Sequence, residues 1–275
     1  MSEVVASIDG SSSTPAVCDY AVWASSRLRA PLVLLHVLDR LLDWTTADIS
    51  GDADLVDREQ LHVEDATLDE RLAQSQMILA AAKARIMSSG IDEPETRQRI
   101  GELSDTLCEL DAEIRLLVMG RQGEGPGTDV GKHVERVVRT LHRPILLTPS
   151  TFTVPQNLMI AFDGSPPACR AVEMLTTNSL FLGLPVHLVM VGTATAVMRV
   201  RLNAACATLT SGGFTVTKAV LSGETEPTLN DYQVTQGIDL LVMGAYGHSR
   251  IHQLLIGSTT NTMLRTASVP LLIVR

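Results

Sequence analysis

Apolar residues fall along this chain in two alternating patterns. Short continuous runs, such as Leu32 to Leu35 and Leu116 to Met119, are separated by longer stretches in which apolar positions recur every three or four residues. Unbroken Val/Ile/Leu runs predict strands covered on both faces, and the 3.6-residue spacing predicts helices packed against them. After a first strand ending at Asp9, the pattern predicts a helix over 14–29, a strand over 31–38, a helix over 64–87, a weak strand over 96–100, a helix over 103–112, a strand over 114–119, a helix over 130–141 and a strand over 144–148. From 158 the same plan recurs with shorter parts. Helices are expected over 166–182, 195–211, 225–236 and 258–266, and strands over 158–162, 186–191, 215–221, 240–244 and 270–274.

The recurrence extends to individual residues. Val4-Val5-Ala6-Ser7-Ile8-Asp9-Gly10-Ser11 returns as Leu158-Met159-Ile160-Ala161-Phe162-Asp163-Gly164-Ser165, and Leu116-Leu117-Val118-Met119-Gly120 is repeated letter for letter by Leu240 to Gly244. One unit is written twice, over 1–149 and 156–275. The expected fold is α/β, two tandem doubly wound parallel five-stranded sheets. Thr148 to Gln156, with two prolines and several hydroxyls, reads as a short linker that keeps the units together rather than as two independent beads.

Charge changes this picture in one place. Of 31 acidic and 22 basic residues, eleven acids and only two bases lie between Asp39 and Glu70, and the other residues balance at 20 of each. No basic stripe is left for a nucleic-acid backbone, and 3% aromatic residues offer little for bases to stack on. No apolar run is long enough for a membrane span and no leader pattern opens the chain, so a cytoplasmic protein is the expectation. Cys18, Cys108, Cys169 and Cys206 lack the close pairing of a zinc or redox motif.

The candidate chemistry lies after the second unit's fourth strand, where Gly244-x2-Gly247-x9-Gly257-Ser258-Thr259 leads into a helix. Glycines let a ligand approach the main chain, and the N–H groups opening a helix favour an anion. Ser258 and Thr259 add hydroxyls, while His248, Arg250 and His252 lie between the glycines without any acid. The loop and the repeats together resemble the universal stress protein family, in its tandem form. That resemblance implies an adenine nucleotide alpha hydrolase-like fold with strand order 3-2-1-4-5, and pairing of the two units through their fifth strands. It also implies ATP, with or without Mg2+, in the second crevice. Ala161, Asp163 and Val191 would then line the nucleoside end, Met243 and Gly244 the crevice, and Gly247, His248, Gly257, Ser258 and Thr259 the phosphate end. Both ends meet where the strand order reverses, the usual place for a ligand in such sheets.

The first unit keeps Asp9, Gly120 and Gly123 but then departs. Gly131 follows after seven residues instead of nine, Lys132 replaces the serine, and Glu124 and Asp129 enter the loop, where only Arg121 and Lys132 offset their repulsion of phosphate. This crevice is expected to bind ATP weakly or not at all. Gly131-Lys132 is no Walker A motif, because Pro126 and His133 stand where it needs glycine and Ser/Thr. The functional expectation is a nucleotide-responsive regulatory module of the stress response with at most weak ATPase activity. Alternatives are a slow ATP hydrolase or phosphotransferase, and a nucleotide-independent scaffold. A homodimer and unidentified protein partners remain open.

Overall fold

The computed structural model describes residues 2–38, 57–121, 132–245 and 258–275. In the first half β1 (Glu3–Ser7), α1 (Thr14–Leu28), β2 (Leu32–Leu38), α2 (Asp57–Ser88), β3 (Glu95–Ile100), α3 (Leu103–Glu109), β4 (Ile114–Gly120), α4 (Lys132–Thr140) and β5 (Ile145–Thr148) follow one another. The second half repeats the plan as β6 (Leu158–Ala161), α5 (Pro166–Thr177), β7 (Val186–Val191), α6 (Ala196–Ser211), β8 (Val216–Leu221), α7 (Thr225–Thr235), β9 (Leu240–Gly244), α8 (Ser258–Thr266) and β10 (Leu271–Val274).

All ten strands form one sheet, in the order β3-β2-β1-β4-β5-β10-β9-β6-β7-β8. Each half is parallel and has the order 3-2-1-4-5. The two expected sheets are therefore fused, through an antiparallel pair that sets Leu271 opposite Leu147, Leu272 opposite Leu146 and Ile273 opposite Ile145. These six residues are at most 1% exposed, which explains why two units on a short linker do not behave as separate beads.

Alternation along each strand sends side chains to two cores. Helices α1, α2, α5 and α6 cover one face, with Tyr20, Ile86, Val172 and Leu209 among their buried residues. Helices α3, α4, α7 and α8 cover the other, with Leu107, Val137, Leu229 and Leu264. Further contacts join the halves. Tyr20 meets the Phe152 ring of the linker at 4.7 Å, and Arg275 donates to the Arg139 carbonyl at 2.6 Å, at the end of α4.

Two helices differ most from the sequence expectation. α5 stops at Thr177, short of 182, because Asn178 turns extended and its amide donates to the Met174 carbonyl. Phe181 then packs on Trp23 of α1 at 6.0 Å, while Arg27 donates to the carbonyls of Leu180 and Leu182. Tertiary contact overrides a run that would otherwise continue the helix. α2 starts at Asp57 instead of 64, so the later acids of the acidic stretch open a helix, where negative charge suits the helix dipole. Its earlier part, 39–56, lies outside the described residues.

Candidate functional site

The site is built from the carboxyl ends of β6, β7 and β9. Ala161 is in register with Val189 on one side and Met243 on the other, so β6 and β9 are direct neighbours at the point where the strand order reverses. Ladder hydrogen bonds continue just past the strand ends, from the Phe162 N–H to the Val189 carbonyl and from the Ala245 N–H to the Val274 carbonyl, each 2.8 Å. The rim of the crevice is therefore firmly held backbone.

Ala161, Val191 and Met243 all face the core on the α7 and α8 side. Met243 is buried, whereas Ala161 and Val191 are half-buried. α8 lies on that same face and begins at Ser258. The expected nucleoside-end residues Ala161 and Val191 thus pack with α8 on one face of the sheet. Gly247, His248 and Gly257 lie outside the described residues.

Asp163 stands exposed beyond the rim of β6. Its carboxylate accepts the Ser165 N–H at 2.9 Å, and Gly164 between them has φ +74°, a left-handed conformation that glycine adopts without strain. Ser165 also caps α5 by accepting the Ala168 N–H at 3.3 Å. The Asp-Gly-Ser step is therefore a turn and a cap, and these roles leave Asp163 exposed just beyond the carboxyl end of β6. Gly244 has a packing reason of its own. A Cβ there would lie 2.6 Å from the Ala168 nitrogen, because the first turn of α5 crosses directly over the end of β9.

The equivalent turn of the first half is tied by different contacts. Thr14 donates to the Asp9 carboxylate at 3.2 Å, and Ile78 of α2 lies over Gly10. Beneath α2, His36 Nδ1 and the Ser75 hydroxyl are 2.6 Å apart and buried, and burial holds the His36 pKa below its usual value. Arg121, expected to offset the acids of the first loop, instead donates to the Ala267 carbonyl just beyond α8. Its charge is spent on the seam between the halves, and burial pushes its pKa down. The loop itself, 122–131, lies outside the described residues, and α4 starts at Lys132.

Among the described residues no group of three or more His, Cys, Asp or Glu could hold a metal ion, and no helix is long and apolar enough to cross a membrane.

Comparison with known proteins adds the following. The family model described as Universal stress protein family matches residues 1–149 and 192–275. Universal stress protein Slr1230 of Synechocystis sp. is 31% identical over 287 residues, with both chains covered completely. A universal stress protein from Archaeoglobus fulgidus DSM 4304 superposes with a TM-score of 0.75 at 16% identity, over 99% of this chain and 98% of that one. The protein PA1789 from Pseudomonas aeruginosa PAO1 gives 0.63 at 14% identity, over 99% and 92%. At such identities these two structures speak for the fold alone.

Proposed function

Since the chain belongs to the universal stress protein family, we propose that it is a nucleotide-responsive regulatory module whose second half binds ATP. The observation that carries this reading is the juxtaposition at the switch point. Asp163, Ala161, Val191 and Met243 surround the carboxyl ends of β6, β7 and β9, and the start of α8 follows the glycine loop on the same face. Such an arrangement suits a nucleoside at the strand ends and phosphates at Gly247, Gly257, Ser258 and Thr259, with Mg2+ accompanying the phosphates. His248, Arg250 and His252 favour an anion there.

Regulation fits this chain better than turnover. Phosphoryl transfer needs a positioned metal and a group that orients the nucleophile, and the second loop contains no carboxylate. Occupancy by ATP would instead change the shape or partner affinity of the protein.

Titration with a fluorescent ATP analogue tests the site. Gly247→Val and Gly257→Val are expected to abolish binding while leaving the circular dichroism spectrum unchanged, and Ser258→Ala to weaken it by about 1 kcal/mol, the usual contribution of one hydrogen bond. Full affinity in both valine variants would remove the loop from the account.

A further inference from the structure

The two halves can be compared position by position through α2 and α6. Leu79, Ala82 and Ile86 of α2 match Leu202, Ala205 and Leu209 of α6 at one constant offset, and all six are buried. On that offset Ile78 corresponds to Arg201. Both lie over the glycine of the Asp-Gly-Ser turn: a Cβ on Gly10 would meet Ile78 Cδ1 at 2.6 Å, and a Cβ on Gly164 would meet Arg201 Cδ at 3.3 Å.

What the two side chains do there differs. Arg201 Nη1 donates to the Gly164 carbonyl at 2.9 Å, whereas Ile78 has no donor to offer. The first turn is tied by its own helix instead, since Thr14 Oγ1 accepts the Gly10 N–H at 3.1 Å and donates to Asp9 Oδ1. In the second half the helix that follows the turn opens with Pro166, where α1 opens with Thr14, and proline has no hydroxyl. The second turn therefore takes from α6 a restraint that the first takes from α1. A guanidinium carries five N–H donors in a fixed plane, so it restrains both the position and the orientation of the carbonyl it holds.

We infer that Arg201 is a positioning residue of the second crevice: by holding the Gly164 carbonyl, it fixes the turn that presents Asp163 to the nucleoside. This inference rests on the ATP-binding reading above. Arg201 acts through the turn and not on the phosphates. Its substitution lowers affinity for every adenine nucleotide by the same factor.

The test compares the wild type with Arg201→Ile, which installs the first half's residue, and with Arg201→Met and Arg201→Lys. Each is titrated with ATP and with AMP, and each is unfolded in urea without ligand. Arg201→Ile and Arg201→Met are expected to unfold cooperatively yet bind ATP and AMP several-fold more weakly, by one common factor, because the bond they lose positions the turn and is not made to the nucleotide. Arg201→Lys keeps the charge without the planar fork and is expected to fall in between. Unchanged affinity in Arg201→Ile overturns the inference. So does a loss seen with ATP but not AMP, which would make Arg201 a phosphate contact. If Arg201→Ile and Arg201→Met both fail to fold, Arg201 is a structural clamp and the inference is likewise wrong. A wild type that binds neither nucleotide refutes the reading of the site, and the inference with it.

Discussion

Gly244 ends β9 where the first turn of α5 leaves no room for a side chain. A side chain there would press on backbone atoms of Pro167 and Ala168, which cannot move aside as a flexible side chain would. Gly244→Ala is therefore expected to cost about 1–3 kcal/mol of stability, the range for overpacking, read as a lower urea midpoint. The sequence made this glycine legible as the end of a strand and the edge of a crevice, but not the helix that crosses it, because no local pattern records a contact between residues 244 and 168. His36 escaped notice for the same reason, being paired with a serine far along the chain. Burial lowers its pKa from the usual 6.5, with the charge of Asp9 acting weakly in the opposite direction. The unfolded chain then binds the proton more readily than the folded one, so stability is complete above about pH 6.5 and falls as the pH drops below it. Burial lowers the His187 pKa too and adds to the same trend. Urea midpoints measured from about pH 7.5 down to 5.5 are expected to decline, and His36→Gln is expected to reduce the slope. A flat profile would contradict the burial of a neutral imidazole.

Among the elements, periodicity located the strands closely, because the central parallel strands, covered on both faces, carry an almost unbroken apolar signal. The helix ends were harder to read wherever tertiary contact decided them. The early stop of α5 follows from the grip of Arg27 and Trp23 on residues 180–182, which local sequence does not announce. Arg121 is a similar case. It lies beside the first half's own loop in sequence, yet it ends the second half's α8 by donating to the Ala267 carbonyl, where a cation also suits the helix dipole. Arg121→Ala is expected to destabilise the protein by about 1–2 kcal/mol, less than a fully solvated reference would suggest because the guanidinium is itself partly desolvated. Urea denaturation reads this directly. Unchanged stability would mean that the seam does not depend on that contact.

Across the whole molecule, the antiparallel β5·β10 pair turns the carboxyl edges of the two halves in opposite directions. The carboxyl ends of the two halves' strands therefore lie at opposite edges of one continuous sheet, which sets the two proposed crevices apart. Their residues differ accordingly. The first turn is tied by Thr14 and lies against Ile78, while the second is held by Arg201; in sequence, the second unit's glycine loop also lacks the acids of the first. The buried seam joins the two halves, and thermal unfolding is expected to show one transition by both near-UV and far-UV circular dichroism. Calorimetric titration of the nucleotide-stripped protein with ATP and Mg2+, fitted for stoichiometry, tests the central claim most directly. One site per chain, abolished by Gly257→Val, is the result expected of an active second crevice beside a silent first. Two equivalent sites, or none, would contradict it.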